Sequence, residues 1–258
     1  MSLEFVKPGI AVVTGGSSGV GRACSIALAH AGWQVVVSGR RQDQLEETIR
    51  LAKEGKSDIR EMRAVAGDLS DPKDVEALFA VVEKEFGRLD LLFNNAGRGT
   101  PDVPIDEISL ADFNSIVAIN LTAPFLCTQQ AVRIMRAQSP QGGRIINNGS
   151  ISAYTPRPNS APYTLTKHAI AGLTKSTALD GRAWNIACSE IDIGNAESSM
   201  ASKDGPGKTQ ASGHLLKEPV MPVAYVAHTL VHMASFPLDV NILNQTIMAT
   251  AMPFVGRG

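Results

Sequence analysis

Short apolar runs rich in β-branched residues recur along this 258-residue chain, and helical patterns separate them. Ile10–Thr14, Val35–Ser38, Ile59–Ala66, Leu89–Asn94, Arg144–Asn148, Ile186–Ile193 and Gln245–Thr250 read as strands. Gly19–Ala31 reads as a helix ended by Gly32, and a charged helix runs from Gln42 to about Lys53. Asp71-Pro72 opens another, with proline in its first turn. A long helix covers about Ser109 to Ala137, and a later one starts near Tyr163 and ends near Ala183. Strands without a polar face, alternating with helices, belong in a parallel sheet covered on both sides. Right-handed crossovers then give an α/β, Rossmann-like doubly wound sheet of about seven strands flanked by helices on both faces. Such sheets bind ligands at the carboxyl ends of their strands, near the switch in strand order.

Hydrophobic residues make up 44% of the chain, enough for one large core, and no linker, repeat or low-complexity tract divides it. The expectation is a single domain over 1–258. Its least regular part is about 198–219, with Gly205-Pro206-Gly207, which reads as a mobile substrate flap or an ordinary surface loop. The formal net charge of −1 supplies no field to attract nucleic acid or an anionic membrane. No stretch approaches the ~20 apolar residues that span a bilayer. The start, Met1 to Gly9, lacks a basic segment followed by an apolar one, so no secretory signal is read there. Cys24, Cys127 and Cys188 are far apart among apolar residues and read as reduced core thiols of a cytoplasmic protein. His228 and His232 share a helix face but lack the glutamate of the zinc-protease pattern, so no metal site is expected.

Thr14-Gly15-Gly16-Ser17-Ser18-Gly19-Val20-Gly21 follows the first strand and opens the first helix. Glycine lets the backbone turn tightly and approach a pyrophosphate, whose charge meets free N–H groups at the helix N-terminus. The lysine of a nucleotide-hydrolase loop is absent, which disfavours phosphoryl transfer. The second strand should end beside the adenosine ribose, where NAD sites often carry an acid. Here the chain reads Ser38-Gly39-Arg40-Arg41. Arginine matches a ribose 2′-phosphate. One charge-assisted bond of about 1.5–3 kcal/mol gives roughly a 10- to 100-fold preference. NADP(H) is therefore expected over NAD(H). The alternative is that both arginines are a solvated helix start and Ser38 holds the ribose.

Tyr163 and Lys167 stand four residues apart, one helical turn on a common face, and Ser150 lies thirteen residues before the tyrosine. A free phenol, with a pKa of about 10, is a poor acid or base at neutral pH. A lysine on the same face puts positive charge near it and favours the phenolate. An oxidised nicotinamide ring would be a second such cation.

Taken together, these motifs resemble the short-chain dehydrogenase/reductase family over nearly the whole chain. They occur in order: Thr14 to Gly21, Asp68-Leu69, Asn94-Asn95-Ala96-Gly97, Asn120, Ser150, and Tyr163 with Lys167. The resemblance implies an oxidoreductase that moves hydride between NADP(H) and a carbonyl/alcohol pair. Gly15, Ser17, Ser18, Gly19, Val20 and Gly21 would hold pyrophosphate. Asp68 and Leu69 would meet adenine, and Asn95, Ala96 and Gly97 would line the adenosine side. Tyr163 would be the general acid/base, Ser150 would hold the substrate oxygen, and Lys167 would bind the nicotinamide ribose. Asn120 would anchor a relay water, and the family is commonly tetrameric, so a homo-tetramer or homo-dimer is expected.

Alternatives stand beside several of these roles. Asp68 also reads as a helix cap, Asn94 as a brace of the sheet, Ser152 as a competitor of Ser150, and Asn120 as a plain buried amide. Pro124 favours the relay reading, because a proline at i+4 has no N–H for the Asn120 carbonyl; a local kink is the competing reading. After the sixth strand the family usually carries Pro-Gly and then threonine. This chain has Ile193, Gly194, Ala196 and Ser198 there, which leaves a backbone hold on the carboxamide feasible and its orientation less determined. Pocket walls are expected from Arg98 to Val103, from Tyr154 to Ala161 and from the flap. Arg157 there reads either as a partner for an acidic substrate or as a solvated loop charge. Two other functions fit the same fold: a non-catalytic NADP(H) sensor or scaffold, and a related epimerase or dehydratase.

Overall fold

The computed structural model of the chain describes residues 6–198 and 207–255. Its main sheet has seven parallel strands: β1 Ile10–Thr14, β2 Gln34–Gly39, β3 Arg63–Ala66, β4 Leu91–Asn94, β5 Gly143–Asn148, β6 Ile186–Ile193 and β9 Asn244–Ile247. Helices α1 Gly19–His30, α2 Gln42–Gly55, α3 Pro72–Phe86, α4 Leu110–Val117, α5 Ala123–Ala137, α6 Ala161–Asp180 and α7 Val223–Ser235 connect them. The order β3-β2-β1-β4-β5-β6-β9 reverses between β1 and β4. A crevice therefore opens at the carboxyl ends of those two strands. A short antiparallel pair, β7 Lys208–Thr209 and β8 Leu215–Leu216, forms a hairpin outside this sheet.

Both faces of the sheet are covered, and the central strands β1 and β4 are apolar on both. Ala11 and Val13 of β1 join Leu91 and Phe93 of β4 in a core shared with α1 and α7. Val12 and Leu92, pointing the other way, join Leu78, Phe79, Cys127 and Ile134 of α3 and α5. All three cysteines are buried and unbridged. Burial pushes the Cys127 and Cys188 thiols up to about 12, and Cys24 higher still, which makes them poor nucleophiles.

Several boundaries differ from the sequence reading. β3 begins at Arg63, not Ile59, because Ile59 packs on the core from a loop and this strand lies at the sheet edge. β4 begins two residues after Leu89, whose N–H and C=O are taken by the Gln138 side chain. α2 continues to Gly55, α6 gives way at Asp180 to a tighter turn over Gly181–Trp184, and β9 ends at Ile247. The long helix is continuous but carries a π-helical segment at Ala118–Thr122, just before Pro124. By length and composition, Leu110–Ala137 could also cross a membrane, contrary to the reading that nothing approached that limit. In the fold it packs against α3, α6 and the sheet. Of the expected flap, residues 199–206 lie outside the described residues; the hairpin β7–β8 occupies part of the remainder.

Candidate active site

The glycine turn after β1 forms one wall of a cleft of about 420 Å³. Gly15, Ser17, Ser18, Gly19, Val20 and Gly21 all line it. Gly15 and Gly19 take positive φ, at 68° and 53°. A Cβ on Gly21 would collide with the Gly15 carbonyl, so no other residue fits beneath the turn. Gly16 N–H donates to the Ser38 carbonyl at 2.9 Å, Thr48 Oγ1 donates to the Gly16 carbonyl at 2.9 Å, and Arg22 donates to the Ser17 carbonyl at 2.6 Å. Ser18 precedes α1 without a side-chain cap, so the first helical N–H groups face the cleft uncapped by their own residue. This open cradle at a helix N-terminus fits a pyrophosphate.

The remaining predicted nucleotide contacts border the same cleft: Arg40, Arg41, Asp68, Leu69, Asn95, Ala96 and Gly97. Arg40 and Arg41 are exposed at its rim, where Arg41 reaches Ser17 Oγ at 3.5 Å. Ser38 is buried, does not border the cleft, and its Oγ has no hydrogen-bond partner among the described residues. It is not placed to hold a ribose. Asp68 is not the cap of α3; Asp71 is, accepting from Lys73 N–H at 2.9 Å. Asp68 Oδ1 instead accepts from the Ser70 hydroxyl and N–H, at 2.7 and 3.1 Å. The Ser70 hydroxyl, with help from Arg40, holds the Asp68 carboxyl below its ordinary range.

Asn95 has a bracing role that sequence reasoning missed. Its Nδ2 donates to the Thr14 carbonyl and its Oδ1 accepts from Asn148 Nδ2, both at 2.9 Å. Thr14 Oγ1 in turn accepts from the N–H groups of Asn95 and Ala96. The ends of β1, β4 and β5 are thus tied together under the crevice. Asn94 braces the other side, donating to Asn147 Oδ1 at 2.9 Å and Thr128 Oγ1 at 3.1 Å.

A second cleft of about 220 Å³ continues from the first, with Val20, Asn95, Gly97, Asn148 and Ser198 as shared walls. Asn120, Ser150, Tyr163, Lys167, Ile193, Gly194 and Ala196 line it. Tyr163 lies in the first turn of α6, its N–H held by Thr100 Oγ1 at 3.1 Å. Lys167 Nζ sits 5.5 Å from the centre of the Tyr163 ring and donates to the Asn148 carbonyl at 2.6 Å. Ser150 and Ser152 are both buried cleft residues, and Ser150 Oγ accepts from Ser152 N–H at 3.1 Å. Tyr154, the other phenol nearby, donates to Asp192 Oδ2 at 3.0 Å. Desolvation and the Asp192 charge push it up to about 12, so it is a poor acid/base.

Asn120 lies in the π-helical segment. Its side chain clamps the loop after β4, accepting from Arg98 N–H at 2.8 Å and donating to Arg98 C=O at 2.9 Å. A longer bond of 3.3 Å reaches Thr166 on α6. After β6, Gly194 N–H donates to the Ile247 carbonyl, and Ala196 bridges to Met221. The β5–β6 ladder ends at Asn148↔Ile191, so the β5-facing edge of Ile193 lies beyond it. Arg157 is neither a free anion site nor a free surface charge. It pairs with Glu218, whose carboxylate also accepts from Asn195 at 2.8 Å and Gln210 at 3.0 Å.

The sequence matches the short chain dehydrogenase family profile over residues 9–209. The chain belongs to the short-chain dehydrogenase family. It is 34% identical over 182 residues to a 3beta-hydroxysteroid dehydrogenase of Mediterraneibacter gnavus, a match that covers 70% of this chain and 64% of that protein. It is 30% identical over 213 residues to the levodione reductase of Leifsonia aquatica, covering 81% and 79% of the two chains. Among solved structures, a metagenomic short-chain oxidoreductase in complex with NADP superposes with a TM-score of 0.78 at 27% identity, covering 94% of this chain and 97% of that one. The family is one of oxidoreductases that bind a nicotinamide nucleotide.

Proposed function

We propose that the protein reversibly interconverts a carbonyl and a secondary alcohol, with NADP(H) preferred over NAD(H). The observation that carries this reading is the continuity of the two clefts. Ser150, Tyr163 and Lys167 border the smaller, and the glycine turn and two arginines border the larger. When bound, the nicotinamide nucleotide supplies or takes up hydride. Tyr163 acts as general acid/base through its phenolic oxygen, and the Ser150 hydroxyl orients the substrate oxygen. Lys167, anchored on the Asn148 carbonyl, holds positive charge beside the phenol. The Asn120 carbonyl, which Pro124 cannot satisfy from i+4, is the proposed seat of a relay water.

The names of two relatives, a hydroxysteroid dehydrogenase and a levodione reductase, support the reaction class. The cleft wall is mixed, with Thr100, Ser152 and Asn195 beside Ile151, Pro158 and Ile193, which supports a substrate with both polar and apolar parts. Phe125, Leu165 and Leu179 are exposed on α5 and α6 and support a homo-oligomer. The test is a panel of carbonyl compounds and alcohols followed by NADPH absorbance, with NADH in parallel. Turnover of ketones or aldehydes is expected. Tight NADPH binding without turnover of any member would refute the enzyme reading.

A further inference from the structure

Beneath Ser150 lies a pair of carboxyl groups that the reaction described above does not use. Glu190 and Asp192 are two residues apart on β6 and so point to the same side of the sheet. Glu190 is 2% exposed and Asp192 is fully buried. The Asp192 oxygens are well supplied with donors. Oδ1 accepts from Ser150 N–H at 2.9 Å, and Oδ2 accepts from Tyr154 OH at 3.0 Å and Asn244 Nδ2 at 2.7 Å. Glu190 Oε1, by contrast, is buried without a hydrogen-bond partner. A Cβ on Gly149, the residue before Ser150, would run into both Asp192 Oδ1 and Glu190 Oε1. The two acids therefore meet at one point under the backbone that carries Ser150.

A buried carboxylate oxygen with no donor is costly. Two carboxylates in contact cannot both ionise cheaply. Both problems vanish if one acid is neutral and donates to the other. Asp192 has three donors that stabilise a charge; for Glu190, burial and the Asp192 charge outweigh the Thr174 hydroxyl and the Lys167 charge. We propose that Glu190 and Asp192 hold one proton between them, with Glu190 as the neutral acid, and that Asp192 positions Ser150 through its backbone N–H. The second half of this rests on the carbonyl/alcohol reading; the shared proton does not.

The surroundings agree. Lys167 of α6 faces the pair, but its ammonium is held by the Asn148 carbonyl. Tyr154 from the turn after β5 and Cys188 on β6 face it as neutral groups, Thr174 of α6 and Asn244 of β9 are uncharged, and Arg144 of β5 lies toward Cys188. Burial, and then the Asp192 charge, pushes Glu190 up to about 7. The folded state thus binds this proton more tightly than the unfolded chain. Stability is lost as pH rises from the ordinary carboxylate value to about 7, and the loss is constant above that.

The test compares the whole protein with Glu190→Gln, whose amide still donates to Asp192 but cannot ionise. The difference in Tm, variant minus parent, should grow between about pH 5 and pH 7.5 and then level off, reaching at least about 3 °C. A difference that does not vary with pH overturns the shared proton. In a second arm, Asp192→Ala should lower kcat roughly 10- to 100-fold at unchanged NADPH affinity. Asp192→Asn, which keeps an oxygen for Ser150 N–H, should recover part of it. Normal kcat in Asp192→Ala overturns the positioning role. A parent enzyme that turns over no carbonyl or alcohol refutes the reaction instead, and the Tm comparison still decides the proton.

Discussion

Lys167 Nζ donates to the carbonyl oxygen of Asn148 at 2.6 Å, so the lysine of α6 is anchored on the carboxyl end of β5. The same Asn148 donates from its side chain to Asn95, which holds the glycine-turn strand. The positive charge beside Tyr163 is therefore fixed to the frame that shapes the larger cleft. Tyr163→Phe and Lys167→Ala should consequently fail differently. The phenylalanine variant should lose turnover by about 10²–10⁴-fold, the usual worth of a general acid/base, while retaining NADPH affinity. The alanine variant should lose both turnover and NADPH affinity. Fluorescence titration with NADPH beside steady-state rates separates the two, and near-normal turnover in Tyr163→Phe would exclude the acid/base role.

The two rim arginines make a prediction about cofactor choice. Arg41 reaches Ser17 across the cleft mouth and Arg40 acts on Asp68, so both charges converge where the adenosine ribose would lie. Replacing both by alanine should reduce the NADPH-to-NADH ratio of kcat/KM by roughly 10- to 100-fold, the worth of one lost charge-assisted bond. The loss should appear in KM for NADPH and leave NADH little changed. An unaltered ratio would mean that neither guanidinium meets a phosphate.

What was legible in the sequence depended on how local the signal was. The sheet was readable because β1, β4 and β5 bury both faces, which leaves continuous apolar runs in the chain. The glycine turn and the Tyr163–Lys167 pair were readable because their parts lie within eight residues. Asn148 was missed because its partners Asn95 and Lys167 come from the end of β4 and from α6, and only the parallel register brings them together. Asp192 was missed for the same reason: Ser150 lies 42 residues earlier and Tyr154 38 residues earlier. Ile59 misled in the opposite way, since a lone apolar residue packing from a loop looks the same in a sequence as the start of a strand.

Arg157 and Glu218 give a prediction in stability. Burial alone would raise the Glu218 carboxyl, but hydrogen bonds from Arg157, Asn195 and Gln210 outweigh it and hold the group below its ordinary range. The stabilisation this represents is fully present above the ordinary carboxylate value and is lost as pH falls through the lowered one. Arg157→Ala should cost about 3 kcal/mol at neutral pH, the low end for breaking a buried pair because the arginine keeps some contact with solvent. The cost should shrink on acidification, which urea melts at pH 7 and pH 4 would read. Glu218→Gln should instead leave the arginine charge uncompensated at the cleft, and KM for carboxylate-bearing carbonyl substrates should fall.

Asn120 divides its work between side chain and backbone, and two variants separate the parts. The side chain holds both Arg98 backbone groups, so Asn120→Ala should destabilise the protein by roughly 2–4 kcal/mol as those groups lose their partners. Pro124→Ala leaves the clamp untouched. It restores an N–H four residues after Asn120, so the helix can close over that carbonyl, and removing an interior proline should hold or raise Tm. If protons reach Lys167 through a water on the Asn120 carbonyl, closing it should lower kcat about tenfold, within the range of a lost proton-transfer partner, at unchanged NADPH affinity. A Pro124→Ala enzyme that is more stable and equally fast would assign the π-helical segment to shaping the Arg98 loop alone.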